Sequence, residues 1–490
     1  MDRAVLIREA ELAGRMVDVR TEGGFIAAIE ARLGRMPGEE IIDAHGGALL
    51  PGLHDHHIHL FSLAASLESI PCGPPEIRDR DSLQRAIAKA KATADAKADK
   101  GSGGSAYGLR GTGYFESVAG SLDRELLDGM CPDRPIRIQH RSGSMWFMNS
   151  RALEALGLER ADPSALPDGI ERDDNGRPTG RLFRLDGWLR ERLPPRDEID
   201  LSVVGSLLAS RGVTGVTDAT PTNGVLEVAA FRKAQACGAL PQRIVLMGSL
   251  ELGESHSGAD LSIGPYKILL DEPALPDFDR LVDGIRASHT ARRPSAIHTV
   301  TRSEIHFALA ALEAAGVMRG DRLEHASVAP PEALEIARRL ELTIVTQPNF
   351  VSERGDAYLA GVDSADLPHL YRLRGWIDAG VALGGGTDAP FGRPDPWRAM
   401  RAAVDRKTPS RSVLGSGEAL CPERALGLFL THPSDPGGAL REIAVGGCAD
   451  LCLLDIPWHE ARTDLDAEHV AATIRNGHLI WARSREHAPL

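Results

Sequence analysis

The sequence has few cysteines and no pattern that pairs them or places them on a metal ion. Its 490 residues include six cysteines, which are scattered along the chain and never form a CxxC motif. A disulfide framework is not expected in so large a chain without a secretory signal. The first residues, MDRAVLIREAELAG, contain no basic segment followed by an apolar one. We therefore expect no signal peptide and a cytoplasmic location.

Long apolar runs and an excess of positive charge are also missing. No apolar run in the sequence approaches the roughly 18 residues that a membrane span needs. The 56 basic and 69 acidic residues give a formal net charge of −13, whereas nucleic-acid binding needs a concentrated basic face. We expect a small-molecule substrate rather than a membrane or a nucleic acid as the partner, and a homodimer as the default assembly.

Three common catalytic signatures are absent. The sequence contains no GxxxxGK[ST] loop, no GxGxxG that opens a helix after a strand, and no GxSxG elbow. Nucleotide binding through such loops and serine hydrolase chemistry therefore have no support in the sequence.

The middle of the chain alternates short β-rich runs with long helical patterns such as TRSEIHFALAALEAAG at 301–316. Eight β runs with helices between them are typical of the α/β class, and here they predict a distorted (β/α)8 TIM barrel. The eight runs occupy residues 48–60, 213–220, 243–249, 266–272, 295–300, 322–327, 343–350 and 381–389.

Both ends of the chain have the glycine-split strand pattern of a β-meander. Because chain termini often lie close together, we expect residues 1–48 and 440–490 to form one small β-sandwich domain beside a barrel of residues 49–439. The connection between the first and second β runs is too long for a structureless loop. It predicts an inserted subdomain after strand 1, at about 66–205.

A histidine pair at the end of the first β run is the strongest chemical signal. His57 and His59 are two residues apart, so in a strand both side chains face the same way. We expect them to face the barrel mouth, where the active sites of this fold lie. Asp55 has the same parity and is expected to orient a ligand imidazole. His54 and His56 have the opposite parity and should face away.

Further candidate ligands lie near the C-terminal ends of other β runs. Lys267 lies on the fourth run, His298 on the fifth, His325 on the sixth and Asp388 on the eighth. The C-terminal strand ends of one barrel converge, so these residues and the histidine pair together predict a single metal site. Other histidines are expected to be structural or exposed, namely His289, His306, His369, His432 and His478.

The segments that carry these residues resemble the motifs of a known family. PGLHDHHIHL at 51–60 is similar to the first-strand motif of the amidohydrolase superfamily, and GGGTDAP at 384–390 to its eighth-strand motif. MNSRAL at 148–153, GRPTGRL at 176–182 and RLEHA at 322–326 are similar to amidohydrolase family 3, the YtcJ-type group around N-substituted formamide deformylase. The resemblance extends over nearly the whole chain.

That resemblance implies a centre of two divalent metals. His57 and His59 would bind the more buried metal, His298 and His325 the second, and a carboxylated Lys267 would bridge both. An amine cannot bridge two cations, whereas its CO2-derived carbamate is an anionic ligand with two oxygens, and a desolvated lysine reaches the neutral form that reacts. Zinc is the default metal, although manganese, iron and cobalt suit the same ligands. If Lys267 forms an ordinary salt bridge instead, one metal is expected.

The implied reaction is hydrolysis of a C–N bond in an amide, formamide or cyclic amide by a metal-bridging hydroxide. Asp388 would contact the first metal and take the proton of the bridging water. A metal-dependent deaminase, a decarboxylase, or an ester or carbamate hydrolase is the alternative, because the fold does not determine the reaction. A non-enzymatic binding protein is disfavoured, since all six expected ligand positions are filled.

Candidate substrate contacts lie at the end of the seventh β run, beyond it and in the insertion. Gln347 and Asn349 are suited to hydrogen-bond a carbonyl or an amide, and Arg372 or Arg374 to bind an anionic group. Ser144 stands where similar sequences have a histidine, so the substrate side of the pocket is expected to differ. Trp146 and the aromatic residues near it are candidates for a lid, because βα loops build specificity in barrels.

Overall fold

The computed structural model describes residues 4–99, 108–162, 166–193, 199–254 and 257–483. The chain divides into two compact units. The barrel unit comprises residues 1–60 and 200–490, and the second unit comprises residues 61–199. The sequence-based boundaries at residues 48 and 440, and those of the insertion, stay predictions.

Eight parallel strands form the central sheet of the barrel unit, arranged in the order in which they occur along the chain. The sheet curves until its two edges meet. Two backbone hydrogen bonds show this contact: Asp388 N donates to the His57 carbonyl (2.8 Å), and His59 N donates to the Ala389 carbonyl (2.9 Å). The predicted α/β barrel is therefore confirmed. Barrel strands 1 to 8 are Leu53–Ile58, Val213–Asp218, Arg243–Gly248, Leu261–Leu269, Ser295–Thr299, Arg322–His325, Thr343–Thr346 and Ala382–Gly385.

Barrel strand 4 differs from its predicted bounds. It begins at Leu261, whereas the sequence pattern predicted a start at residue 266. Gly264 and Pro265 punctuate the pattern as a turn would. They lie instead beside a break in register, where strand 3 pairs Leu246 with Ile263 and then Gly248 with Tyr266. Proline is tolerated at such irregularities in a sheet.

Helices follow the barrel strands, and Arg302–Ala315 shows why they form. Thr301 and Glu304 make a reciprocal capping box, with both bonds at 3.2 Å. Ile305, Leu309 and Leu312 then recur on one buried face. No helix among the described residues is long and apolar enough to cross a membrane. Helices of the barrel unit are Ser202–Ala209, Val225–Ala236, Phe278–Thr290, Arg302–Ala315, Pro331–Arg339, Asn349–Gly361, Arg374–Asp378, Pro396–Asp405, Pro422–Gly427 and Trp458–Ala461.

Two four-stranded sheets are built from the ends of the chain. Their apolar side chains share one buried cluster, in which Val5 and Ile7 of one sheet join Leu451 and Ile474 of the other. A short hairpin of Thr431–His432 and Asp435–Leu440 precedes the C-terminal strands. One sheet contains Val5–Leu12, Arg15–Glu22, Phe25–Glu30 and Glu40–Asp43, and the other contains Leu49–Pro51, Leu451–Leu454, Val470–Arg475 and His478–Ala482.

The second unit has its own six-stranded sheet and its own buried apolar clusters. Its strands, in sheet order, are Ile170–Arg172, Pro178–Phe183, Met145–Met148, Ile136–His140, Leu109–Tyr114 and Ile70–Pro71. The helix Leu60–Leu67 leads into it, and its other helices are Arg80–Asp99, Glu116–Ala119, Arg124–Met130, Ser150–Ala155 and Asp186–Arg192.

Candidate metal centre

A carboxylate lies between the two histidines at the end of barrel strand 1. Asp388 Oδ1 is 3.5 Å from His57 Nε2 and 3.2 Å from His59 Nε2. Two atoms that each lie about 2.0–2.1 Å from one tetrahedral zinc ion are about 3.4 Å apart. The separations of these three side chains therefore fit ligands of a shared ion.

His325 extends this group towards barrel strand 5. Its ring centroid is 4.7 Å from that of His57 and 4.5 Å from that of His298. The ligand atoms of His57, His325 and Asp388 all lie within 4.8 Å of one another. The barrel thus brings residues from strands 1, 5, 6 and 8 to one place.

Two of these candidate ligands have an unusual backbone. His325 has a φ of 67° and Asp388 a φ of 54°, both in the left-handed region. For a non-glycine residue this conformation costs roughly 1–3 kcal/mol and is maintained only where the surroundings demand it. Each residue lies where a barrel strand ends, so the backbone turns as the side chain enters the group.

Lys267 is buried, and its Nζ has no hydrogen-bond partner among the described residues. Burial lowers the pKa of Lys267 from 10.5 to about 8. Asp388 Oδ1 is likewise buried without a hydrogen-bond partner in the described ranges. A buried unsatisfied polar atom costs about 1–3 kcal/mol, so both atoms fit a group that binds cations.

Three of the histidines have a partner on Nδ1, which leaves Nε2 available as the ligand atom. The acceptors differ in kind, being a carboxylate, a hydroxyl and an amide oxygen. They are Glu324 for His57, Thr220 for His59 at 2.9 Å, and Gln347 for His325 at 2.7 Å.

The imidazoles of His57, His298 and His325 are held in the neutral form that binds metals. Burial lowers the pKa of His57 and His325 well below the usual 6.5, and it lowers the pKa of His298 to about 3. Nearby Lys267 contributes in the same direction at all three rings, because a second positive charge is disfavoured beside it.

Asp55 does not orient a ligand imidazole, and that prediction was wrong. Its carboxylate accepts bonds from Thr387 Oγ1 (2.6 Å), from Thr387 N (3.0 Å) and from the backbone N of His57 (3.1 Å). Burial raises the pKa of Asp55 to about 7. Asp55 therefore ties barrel strand 1 to the segment after strand 8, and the carboxylate on the ring of His57 is Glu324.

His54 and His56 take the opposite face of strand 1, as their parity predicted, but they are fully buried. His54 Nε2 lies 2.9 Å from Thr217 Oγ1, and His56 Nε2 lies 2.9 Å from Thr431 Oγ1. Burial lowers the pKa of both rings well below the usual value. They pack as neutral hydrogen-bonded residues in the barrel wall.

Two of the candidate substrate residues are engaged within the barrel. Gln347 Oε1 accepts from His325 Nδ1, while Gln347 Nε2 is buried without a partner among the described residues. Asn349 begins a helix rather than ending a strand, and its Nδ2 donates to the Thr387 carbonyl (3.1 Å). Their roles towards substrate stay predictions.

Arg372, the candidate for binding an anion, already has a carboxylate partner. Its Nε donates to Glu418 Oε1 (2.9 Å), and its Nη1 donates to the Ala329 carbonyl (3.3 Å). Glu418 Oε2 also accepts from Leu373 N (2.9 Å) and Gly375 N (2.8 Å). These hydrogen bonds stabilise the loop before helix Arg374–Asp378. The contacts of Arg372 give no support to a substrate role, which stays a prediction.

Ser144 and Trp146 belong to the second unit. The buried indole of Trp146 donates to Asp186 Oδ1 (2.9 Å), and the Ser144 carbonyl accepts from Arg184 N (2.8 Å). The predicted contacts of both residues with a substrate stay predictions.

The family model of the amidohydrolase family matches residues 40–480. This chain belongs to the amidohydrolase family. The amidohydrolase is 26% identical to N-substituted formamide deformylase of Arthrobacter pascens, with 95% of each chain covered. It is 26% identical to the putative amidohydrolase YtcJ of Bacillus subtilis (strain 168), with 91% of this chain and 92% of the relative covered. These matches confirm the predicted resemblance, and the chain is a metal-dependent hydrolase of the amidohydrolase superfamily.

A solved structure shows the same fold. It is an uncharacterized metal-dependent hydrolase from Pyrococcus furiosus, which superposes with a TM-score of 0.69 at 21% identity and covers 92% of this chain and 99% of its own.

Proposed function

We propose that this amidohydrolase hydrolyses the C–N bond of an amide, formamide or cyclic amide at a centre of two divalent metals, with zinc as the default. The observation that carries the proposal is the buried Asp388 carboxylate, which lies among three imidazoles without a hydrogen-bond partner on Oδ1 in the described ranges. The name of the formamide deformylase relative supports the choice of bond.

The ligands divide into two sets in this proposal. His57, His59 and Asp388 would hold one metal, His298 and His325 would hold the other, and a carbamate on Lys267 would supply an anionic ligand to both. Divalent metals, when bound, lower the pKa of a water ligand towards neutrality and polarise the substrate oxygen. Neutral imidazoles, a carboxylate and an unpaired buried amine are the donor types that such a pair of metals requires.

Asp388 moves the proton in this mechanism. Its carboxylate accepts the proton of the attacking water and then donates it to the leaving nitrogen, which would otherwise depart as an unstable anion. The hydrogen bonds to Glu324, Thr220 and Gln347 hold the imidazoles in place while this happens. Because Asp388, His57 and His325 are buried, little water competes with the substrate at these groups.

The experiment that tests the proposal combines metal analysis with a substrate panel. The purified protein is assayed for metal per chain and for hydrolysis of N-substituted formamides, simple amides, cyclic amides and esters. About two divalent metals per chain and turnover of at least one C–N substrate are expected. A protein that binds no divalent metal, or one that hydrolyses only the esters, would contradict it.

A further inference from the structure

A buried ion pair lies on barrel strand 6, directly beneath the candidate ligands. Arg322 is 3% exposed and Glu324 is fully buried, and Arg322 Nε donates to Glu324 Oε1 at 2.5 Å. The other carboxylate oxygen, Oε2, bonds to His57 Nδ1. Arg322 Nη2 also donates to the carbonyl of His56, the residue next to His57 (3.4 Å).

Stability alone does not account for this pair. Burying two charges removes their hydration, and well-packed apolar side chains of the same volume are often at least as stable. Both side chains are buried, and Arg322 Nη2 also lies 3.6 Å from the thioether sulfur of Met247, a neutral group that cannot replace the lost hydration. A buried ion pair that does not add stability is expected where its charge has a function.

The geometry shows what the carboxylate can do. Because Glu324 accepts at Nδ1 of His57, the ring proton is placed on Nδ1, and Nε2 is left as the lone-pair atom 3.5 Å from Asp388 Oδ1. Arg322 holds the second carboxylate oxygen and the backbone of strand 1, so neither partner of this bond is free to rotate away.

His57 differs in this respect from the other ligand histidines. His59 bonds to the hydroxyl of Thr220, and His325 bonds to the neutral amide of Gln347. A bond to a carboxylate is charge-assisted and stronger than one to a neutral oxygen, and it raises the basicity of the imidazole as a ligand. The metal position of His57 is therefore supported more strongly than that of His325.

We propose that Glu324, held by Arg322, is a positioning residue that fixes His57 for metal binding and makes the position of His57 the tighter of the two metal positions. This inference rests on the proposed two-metal centre. It assigns to Glu324 and Arg322 a function towards one metal rather than towards the fold.

The test measures stepwise metal release from the full-length protein by zinc competition with a chelator. Wild type is expected to release its two zinc ions at different free-zinc concentrations. Glu324→Gln should weaken the tighter step about 10–100-fold, because loss of an outer hydrogen-bond partner has effects of this size, and should leave the weaker step unchanged. Gln347→Leu, the matched variant at His325, should weaken only the other step.

A second variant distinguishes an effect on metal binding from an effect of misfolding. Glu324→Gln leaves Arg322 as a buried charge without its partner, whereas Arg322→Met/Glu324→Gln removes both charges and should fold as well as wild type. The double variant is expected to show the same selective weakening, together with a changed cobalt absorption spectrum. A merely structural pair would lower the unfolding midpoint and leave the spectrum and the ratio of the two steps unchanged.

The outcomes separate the two proposals. Wild-type protein that binds no zinc overturns the proposed function and this inference together. Wild-type protein that binds two zinc ions, with the tighter step unchanged in both Glu324 variants, overturns this inference alone.

Discussion

Lys267 provides a quantitative prediction, because a carbamate forms only from a neutral amine. Burial lowers the pKa of Lys267 from 10.5 to about 8. At pH 7 this raises the neutral fraction from about one in 3,000 to about one in ten, a gain of about 300-fold. The described residues offer this amine no hydrogen-bond partner that would hold it in the charged form.

At a fixed concentration of dissolved CO2, the initial rate of carbamate-dependent metal uptake by metal-free protein should therefore rise with pH, because the rate at which the carbamate forms follows the neutral fraction of the amine. The slope is expected to be close to tenfold per unit between about pH 6 and 7.5, with a plateau above about pH 8. The buried histidines should not contribute to this slope. The pKa of His298 is about 3 and those of His57 and His325 are also well below the usual value, so these rings are already neutral throughout the range.

The assay follows the 13C resonance of the carbamate and the metal content of the same samples. Lys267→Met keeps the length of the side chain and should abolish both the resonance and the pH-dependent uptake. Lys91→Met is the control, because Lys91 is partly exposed and pairs with Asp133 at 2.6 Å. Uptake that is independent of pH between 6 and 8, or that survives in Lys267→Met, would refute the reasoning.

Three further substitutions follow from the contacts. Asp388→Asn cannot accept the proton and should lower kcat by about 10²–10⁴-fold in steady-state assays. Gly386→Ala places a Cβ 2.5 Å from that of His57, so strand 1 must shift and the metal content per chain should fall. Arg372→Met breaks the bond to Glu418 and should lower the unfolding midpoint while leaving KM unchanged.

Gly386→Ala has a matched control, and the other two substitutions each have an outcome that would contradict the prediction. Gly361→Ala adds its Cβ with no heavy atom within 4 Å and should leave the metal content unchanged, which separates a local clash from the general effect of alanine. A rise in KM with an unchanged midpoint in Arg372→Met would restore the predicted anion-binding role. Full activity in Asp388→Asn would remove that carboxylate from the proton transfer.

The sequence was sufficient to predict the barrel because each strand leaves a local pattern. All eight predicted runs overlap a barrel strand, and the parity of His57 and His59 agrees with the side on which they lie. The predicted start of strand 4 was wrong because a Gly-Pro pair such as Gly264 and Pro265 occurs both in turns and in strands with a break in register. Local composition does not distinguish these two cases.

The partners of the site residues were not predictable in the same way. Glu324 is 267 positions from His57 in the chain, and nothing local to either residue indicates their contact. One signal was present, since Arg322 and Glu324 are charged residues of equal parity within a barrel strand. Parity gives the side of a strand on which a residue lies, but only the register between strands decides whether Asp55 or Glu324 reaches the ring.

Several energetically unfavourable features of this structure coincide at one end of the barrel. His325 and Asp388 adopt left-handed backbone conformations, and the Asp388 carboxylate and the Lys267 amine are buried with an atom that has no partner among the described residues. Each of these features is unfavourable by itself. All three side chains carry donor atoms, and a divalent cation compensates a buried carboxylate more strongly than a hydrogen bond does. A fold that only needed stability would avoid this combination, whereas a fold that binds metal recovers the cost on binding, as a hydrolase of the amidohydrolase superfamily requires.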